Sequence, residues 1–193
     1  MVTGLPASGK TTLACRLADA LGLPLIAKDH FKDVLFDSLG VGDTEWSRRI
    51  GRAAIALQFD AMRAHRTAVV DSALWTGVAE PEIEALGLPL VQVYCRCPFE
   101  VARARYFARV GDDGRHAGHR EEDLTRDDYE RYRPLTEPLA LSSPLVEVAT
   151  DVPVDPEAVT EAIRTAASGP EVGRRAAVRH PNSGTGRGGV GPT

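Results

Sequence analysis

The chain has 193 residues, 43% of them apolar and 26% charged, with a formal net charge of −4, enough material to bury one sizeable α/β or α+β core. The longest apolar stretches, such as Leu21 to Ala27, are interrupted by Gly or Pro and fall far short of the ~18 residues a membrane span needs, and Lys10 and Arg16 cut short any apolar leader. Three cysteines, Cys15, Cys95 and Cys97, are too few and too odd a number for a disulfide scaffold, so a cytoplasmic protein with no membrane partner is expected.

In chain order, Met1-Val2-Thr3 reads as a strand that runs into Gly4-Leu5-Pro6-Ala7-Ser8-Gly9-Lys10-Thr11. This segment satisfies G-x-x-x-x-G-K-[ST] at every fixed position and opens a helix over Lys10–Leu21. Only three residues precede Gly4, where such strands run about five or six, so a native start upstream of Met1 is expected. Glycines let backbone N–H groups turn inward around a phosphate, and the helix N-terminus adds a favourable dipole. Gly4, Pro6, Ala7, Ser8, Gly9, Lys10, Thr11 and Thr12 are therefore the candidate nucleotide-binding residues. Lys10 supplies a point charge to the β- and γ-phosphates and the Thr11 hydroxyl a ligand for Mg²⁺, so ATP and Mg²⁺ are the implied cofactors.

A second strand, Pro24–Ala27, leads into Lys28-Asp29-His30-Phe31-Lys32 at the carboxyl edge of the sheet, where ligands of open α/β folds bind. A carboxylate there can accept the proton of an attacking hydroxyl, which makes Asp29 the candidate general base; it can equally cap the helix that begins at His30 and runs to Leu39. Lys28 and Lys32 flank it as candidate anion holders or as solvated side chains. They and Lys10 are the only lysines, against 20 arginines. A long helix over Thr44–His65 places Ile50, Ala54, Leu57 and Ala61 on one face. The third strand, Thr67–Asp71, ends in a carboxylate placed like a Walker B aspartate, so Asp71 is a candidate Mg²⁺ ligand and the second candidate base, or a plain strand-terminal turn residue.

After a fourth strand, Leu90–Cys95, a helix over Phe99–Arg109 carries Arg105 and Arg109 four residues apart on one face. The following Val110–Asp123 is rich in Gly, Asp, His and Arg, too polar to pack, and reads as a lid spanning about 110–126. Arginines on a closing lid can neutralise charge on a transferring phosphoryl group. Cys95-x-Cys97 lacks a second Cys pair and reads as inert thiols; His116-x-x-His119 lacks a metalloprotease helix; Arg120-Glu-Glu-Asp reads as a solvated hinge. A fifth strand, Leu145–Ala149, and a helix over Pro156–Ala167 complete a pattern of short apolar runs alternating with helices, the mark of a parallel sheet with crossover helices. From Gly169 to Thr193 the chain is Gly, Arg, Pro and small polar residues, expected to form a disordered tail. The tail holds four Arg and one Glu, which leaves residues 1–168 at −7, a poor match to nucleic acid.

Gly4–Thr11, Lys28-Asp29-His30-Phe31-Lys32, Arg105-x-x-x-Arg109, Arg115-His116-Ala-Gly-His119 and the closing Val146-Glu-Val-Ala-Thr150-Asp151, in this order over roughly residues 1–167, resemble the P-loop kinase group labelled AAA-domain (AAA_33) ATP-binding proteins. Zeta toxins, chloramphenicol phosphotransferase and the phage polynucleotide kinase domain are relatives of that group. The resemblance implies an α/β P-loop NTPase of nucleoside-kinase type: a five-stranded parallel sheet in the order 2-3-1-4-5, helices on both faces, and a small Arg-rich lid. It implies an ATP- and Mg²⁺-dependent kinase acting on a hydroxyl of a small molecule, with Asp29 as base, Arg105 and Arg109 as lid arginines, and Thr150 in a loop beside adenine. A polynucleotide 5′-hydroxyl kinase, a nucleotide-sugar kinase and an ATP-binding regulatory module without transfer stay open as alternatives. Ala7, where glycine is common, is a departure expected to be harmless. One domain over 1–168, followed by the tail, and a monomer or weak dimer are expected.

Overall fold

The computed structural model describes residues 1–65, 67–111, 115–168 and 175–178. Its elements run β1 (Val2–Gly4), α1 (Lys10–Leu21), β2 (Leu25–Ala27), α2 (Lys28–Leu39), α3 (Thr44–Ala64), β3 (Val69–Asp71), α4 (Glu80–Ala85), β4 (Gln92–Arg96) and α5 (Phe99–Ala108). Three 3-10 turns follow at Ala117–His119, Glu121–Asp123 and Asp128–Thr136, then β5 (Leu145–Ala149), α6 (Pro156–Ala167) and β6 (Arg175–Val178).

Local chemistry sets several of these limits. The Asp43 carboxylate accepts the Trp46 N–H at 2.8 Å to start α3, and Asp155 caps α6 by accepting from Glu157, with Pro156 in the first turn. α1 stops at Gly22, whose φ of +63° supplies the left-handed turn that ends a helix.

All strands are parallel, in the order β2-β3-β1-β4-β5-β6. Parallel strands are covered on both faces, which is why β1, β3 and most of β4 read as unbroken buried runs. One face packs Val2, Val93, Val146 and Val148 against Leu13, Leu17 and Val159 of α1 and α6. On the other, Ile26 and Val70 meet Phe59 and Met62 of α3 and Ile83 of α4. A third cluster, with Leu5, Phe99, Tyr106, Tyr129 and Leu135, lies where the phosphate loop meets α5 and the last 3-10 turn.

Among the described residues the sheet has six strands where five were expected, and the sixth comes from the predicted tail. β6 pairs with β5 from Leu145↔Arg175 to Val148↔Val178, so residues 175–178 extend the sheet edge. The rest of that tail, 169–174 and 179–193, lies outside the described residues, as do 112–114 of the predicted lid. Short α4 is also additional, and α2 begins two residues earlier than its sequence signal, so Lys28 and Asp29 sit in its first turn.

Buried Gln58 fixes the sheet edge that matters most for chemistry. Its Nε2 donates to the Ile26 carbonyl at 3.0 Å and to the Asp71 carbonyl at 2.9 Å, tying the carboxyl ends of β2 and β3 to α3. In that register Ala27 lies opposite Asp71, which sets Asp29 and Asp71 on neighbouring strand ends.

Candidate active site

The phosphate loop bridges β1 and α1. Gly4 has φ +142°, and a Cβ there would come within 2.9 Å of the Cys95 carbonyl oxygen, so only glycine fits. The Tyr129 hydroxyl, from the 3-10 turn Asp128–Thr136, donates to the Pro6 carbonyl at 2.7 Å and pins the loop from outside. Ala7 adopts φ +61°, a conformation that costs a non-glycine residue about 1–2 kcal/mol; the departure from glycine expected to be harmless is a strained one. Ser8 is fully buried with its hydroxyl unpartnered, whereas Thr12 is exposed on the first turn of α1.

A cavity of about 520 Å³ opens in front of this loop, with Pro6, Lys10, Thr11, Asp29, Asp71 and Arg109 all in its wall. Lys10 reaches back to the Leu5 carbonyl at 3.4 Å. The Thr11 hydroxyl donates to Asp71 Oδ2 at 2.6 Å, while Asp71 Oδ1 is buried without a hydrogen-bond partner among the described residues. Burial pushes the Asp71 carboxyl up, against the opposing pull of Lys10 and the Thr11 hydrogen bond. A hydroxyl beside a carboxylate with a spare buried oxygen suits Mg²⁺, which takes one or two protein oxygens and fills its other positions with phosphate and water.

Asp29 is half-buried. Lys28 Nζ lies 3.0 Å from its Oδ1, and Arg115 3.4 Å from its Oδ2. Burial alone would raise its carboxyl, but Lys28, His119, Lys10 and Arg115 outweigh that and hold it well below the ordinary carboxylate range. The charged form of Asp29 is thus the favoured one, and its place in the same cavity wall as Pro6, Lys10 and Thr11 makes it a hydrogen-bond acceptor beside the phosphate loop.

Segment 115–123 packs down onto α2 and α3, contrary to the expectation that it is too polar to pack. Gly118 lies against the ring of Phe36, His116 stacks on that ring with centroids 5.1 Å apart, and His119 meets it edge-on. Polar pairs complete the seam: His119 Nε2 with Asp33 at 2.7 Å, His116 Nε2 with Asp37 at 3.3 Å, Thr44 Oγ1 donating to Asp123 at 2.7 Å. Burial lowers His119 below the ordinary imidazole range despite the nearby Asp29 charge. Each histidine thus has its own aspartate, and no metal-holding cluster occurs among the described residues. The thiol of Cys95 is pushed up to about 12 by burial, as an inert thiol should be.

Of the two expected arginines, Arg109 lines the cavity and Arg105 does not, and Arg115 lines it beside Arg109. Arg109 caps the end of α5, lies over the Tyr106 ring and donates to Glu121 Oε1 at 2.8 Å; Arg115 donates to the same oxygen at 2.8 Å. Arg105 stands apart: its guanidinium donates to the Thr150 carbonyl at 2.9 Å and is absent from the cavity wall. Thr150 itself packs beside Gly9, 3.9 Å from where a Cβ there would stand. Glu121, read from the sequence as part of a solvated hinge, is buried and joins the two cavity arginines. No signal in the sequence separates it from its acidic neighbours.

The family model for AAA_33, described as an AAA domain, matches residues 1–134. Among solved structures, the chain is similar to a kinase candidate from Chloroflexus aurantiacus, at 32% identity over 85% of this chain and 95% of that one with a TM-score of 0.76. It is also similar in fold to a sugar kinase from Janibacter, at 20% identity over 85% and 90% of the two chains with a TM-score of 0.51. No curated protein matches the sequence.

Proposed function

The chain belongs to the AAA_33 family of AAA domains, and from that premise we propose that it is an ATP- and Mg²⁺-dependent phosphotransferase that moves the γ-phosphate to a hydroxyl of a small molecule. The observation that carries this reading is the presence in one cavity of a phosphate loop with its lysine, a Thr11–Asp71 pair suited to Mg²⁺, and an Asp29 carboxylate paired with Lys28 and Arg115. The kinase description of the relative at 32% identity agrees with it.

In this reading the loop backbone and Lys10 bind the β- and γ-phosphates, and Thr11 and Asp71 would hold Mg²⁺. When bound there, Mg²⁺ would supply neutralisation of charge on the phosphates. Asp29 accepts the hydrogen bond of the acceptor hydroxyl and aims its oxygen at phosphorus. As the new O–P bond forms, the bond to the β,γ-bridging oxygen breaks, ADP leaves with that electron pair, and the hydroxyl proton passes to Asp29. The cations around Asp29 lower its basicity, but a loose phosphoryl-transfer transition state asks mainly for positioning, with proton transfer late. Arg109 and Arg115 face the transferring group from the lid side. Asp71 is already engaged by Thr11, which favours Asp29 for the hydroxyl. No described helix is long and apolar enough to cross a membrane, and the acidic charge of residues 1–168 favours a small acceptor over a polynucleotide end.

The test is Asp29→Asn against a panel of hydroxylated metabolites and antibiotics, following ADP release and product mass. Nucleotide affinity is expected to stay within about twofold and transfer to fall by at least about 10². Undiminished transfer would move the base to Asp71, and ATP binding with no ADP release across the panel in the wild type would leave a binding module.

A further inference from the structure

The wall of the cavity holds nine Lys or Arg against five Asp or Glu, in a chain whose net charge is −4. Four of these cations face a carboxylate of the same wall: Lys28 faces Asp29, Arg109 and Arg115 share Glu121, and Arg120 meets Asp123, while Arg131 lies over the Tyr132 ring. Lys10 belongs to the phosphate loop.

Lys32 is different. It is 7% exposed, its Nζ donates to Ser47 Oγ at 3.0 Å, and it stands 5.3 Å from the centroid of the Phe36 ring. No carboxylate among the described residues comes within ion-pair distance of it. The acids nearest in sequence are turned elsewhere, Asp29 to Lys28 and Arg115 and Asp33 to His119. Ser47 cannot balance the charge, because its own proton goes to the Gly118 carbonyl at 2.7 Å. An ammonium has three N–H donors, so two remain on a buried cation that lines a cavity. Burying a charge without a counter-charge is among the more costly arrangements a fold can hold, and burial lowers Lys32 to about 8 accordingly.

The surroundings leave room and add charge. Gly51, across from Lys32 on α3, would bring a Cβ only to 3.8 Å from Lys32 Cε. Arg48 and Arg52 share that wall of the cavity, and their acidic partner is the exposed Glu45 at 3.7 and 3.5 Å, a contact of the kind that stabilises little. Asp29 precedes Lys32 by three residues on α2, so the two side chains are neighbours on one helix face.

We propose that Lys32, with Arg48 and Arg52 at the rim, is the subsite for an anionic group of the acceptor, making the acceptor a hydroxylated carboxylate or phosphate ester rather than a neutral alcohol. An oxyanion there takes the two free N–H bonds of Lys32 and the forked donors of the arginines, while a hydroxyl of the same molecule, one helical turn away, reaches Asp29. The word acceptor rests on the phosphotransfer reading; the anion subsite does not.

Binding is therefore measured without turnover. The full chain, with its phosphate loop filled by a Mg²⁺-bound non-hydrolysable ATP analogue, is titrated with glucose, gluconate and glucose 6-phosphate, and with ribose and ribose 5-phosphate, by calorimetry. Anionic members are expected to bind at least about tenfold tighter than their neutral parents, with gluconate against the phosphate esters deciding which anion is preferred. Lys32→Met is expected to remove that difference while holding the ATP analogue with unchanged affinity, and to melt higher than the wild type, since it removes an uncompensated buried charge. Lys32→Arg is expected to retain part of the preference. Equal binding of charged and neutral members, no binding of any anionic member, or a preference that survives in Lys32→Met would overturn the proposal, as would a Lys32→Met variant less stable than the wild type. With ATP in place of the analogue, absence of ADP release with all these compounds, beside an intact anion preference, would count against phosphotransfer and leave the subsite standing.

Discussion

The phosphate loop and the lid side of the cavity are held by different means. Around the loop the fixing contacts are backbone ones, with Gly4 pressed against the Cys95 carbonyl, Ser8 N–H bonded to Leu5 and the Pro6 carbonyl held by Tyr129. Across the cavity the fixing contacts are side-chain pairs between α2 or α3 and segment 115–123, made by residues 71 to 86 positions apart. A site fixed by backbone geometry is insensitive to most single side chains and depends sharply on one or two glycines and the functional groups themselves. A seam of side-chain pairs spreads its stability over many residues and is specific to this chain.

Lys10→Ala gives the largest expected effect on that contrast. Among the described residues the side chain makes only a long bond to the Leu5 carbonyl, so the melting temperature should stay near that of the wild type. Nucleotide affinity and transfer should both fall, transfer by about 10²–10³-fold, the cost of losing one donor aimed at developing charge. Binding of a fluorescent ATP analogue and ADP release measure the two. A variant that loses stability instead would show that the lysine holds the loop together, and the contrast would fail there.

Gly118→Ala probes the other side. A Cβ at this position would fall about 2.6 Å from Phe36 Cε2, and Phe36 is buried with nowhere to go. Overpacking of this kind costs about 1–3 kcal/mol, here released by parting segment 115–123 from α2. The ATP analogue should bind nearly as before, while the KM for the acceptor rises and kcat falls, because Arg109 and Arg115 no longer face the phosphates. Equal losses in nucleotide and acceptor binding would mean the two sides move as one body.

The same contrast explains what the sequence shows and what it hides. The loop motif, α1 over Lys10–Leu21, β5 over Leu145–Ala149 and α6 over Pro156–Ala167 appear in the structure with the bounds their local signals give, because caps, glycines and apolar periodicity act over a few neighbouring residues. α4 is six residues with Pro81 in its first turn, too short to show a period. β6 is legible only through its pairing with β5, for Arg175–Val178 sits in a Gly- and Arg-rich stretch with no strand signal of its own. Asp29 and Asp71 were readable as strand-end carboxylates. The fate of the arginines was not: i, i+4 spacing puts Arg105 and Arg109 on one face, yet one reaches the Thr150 carbonyl and the other Glu121. Burial of Glu121 depends on arginines arriving from two separate segments, which a run of charges in sequence cannot reveal.

The smallest effect concerns Lys32, where the two sides of the cavity meet different demands. The ordinary lysine value of 10.5 falls to about 8 in the folded chain, by burial first and then by the like charges of Lys28 and Arg115, against the opposing pull of Asp29 and Asp33. Between those values the unfolded chain binds more protons at this site than the folded one, so stability contributed by this group rises with pH across that window. Below about pH 8 both states carry the proton and the folded state bears the full cost of the buried charge; above about 10.5 neither does. The melting temperature of Lys32→Met should therefore exceed that of the wild type near neutrality, and the gap should close as pH climbs from 8 towards 10.5. Taking the difference between the two proteins removes the tyrosines and other lysines that titrate in the same range. A gap that stays constant with pH would mean that methionine stabilises by packing on Phe36 alone, and that Lys32 gives up its charge without cost.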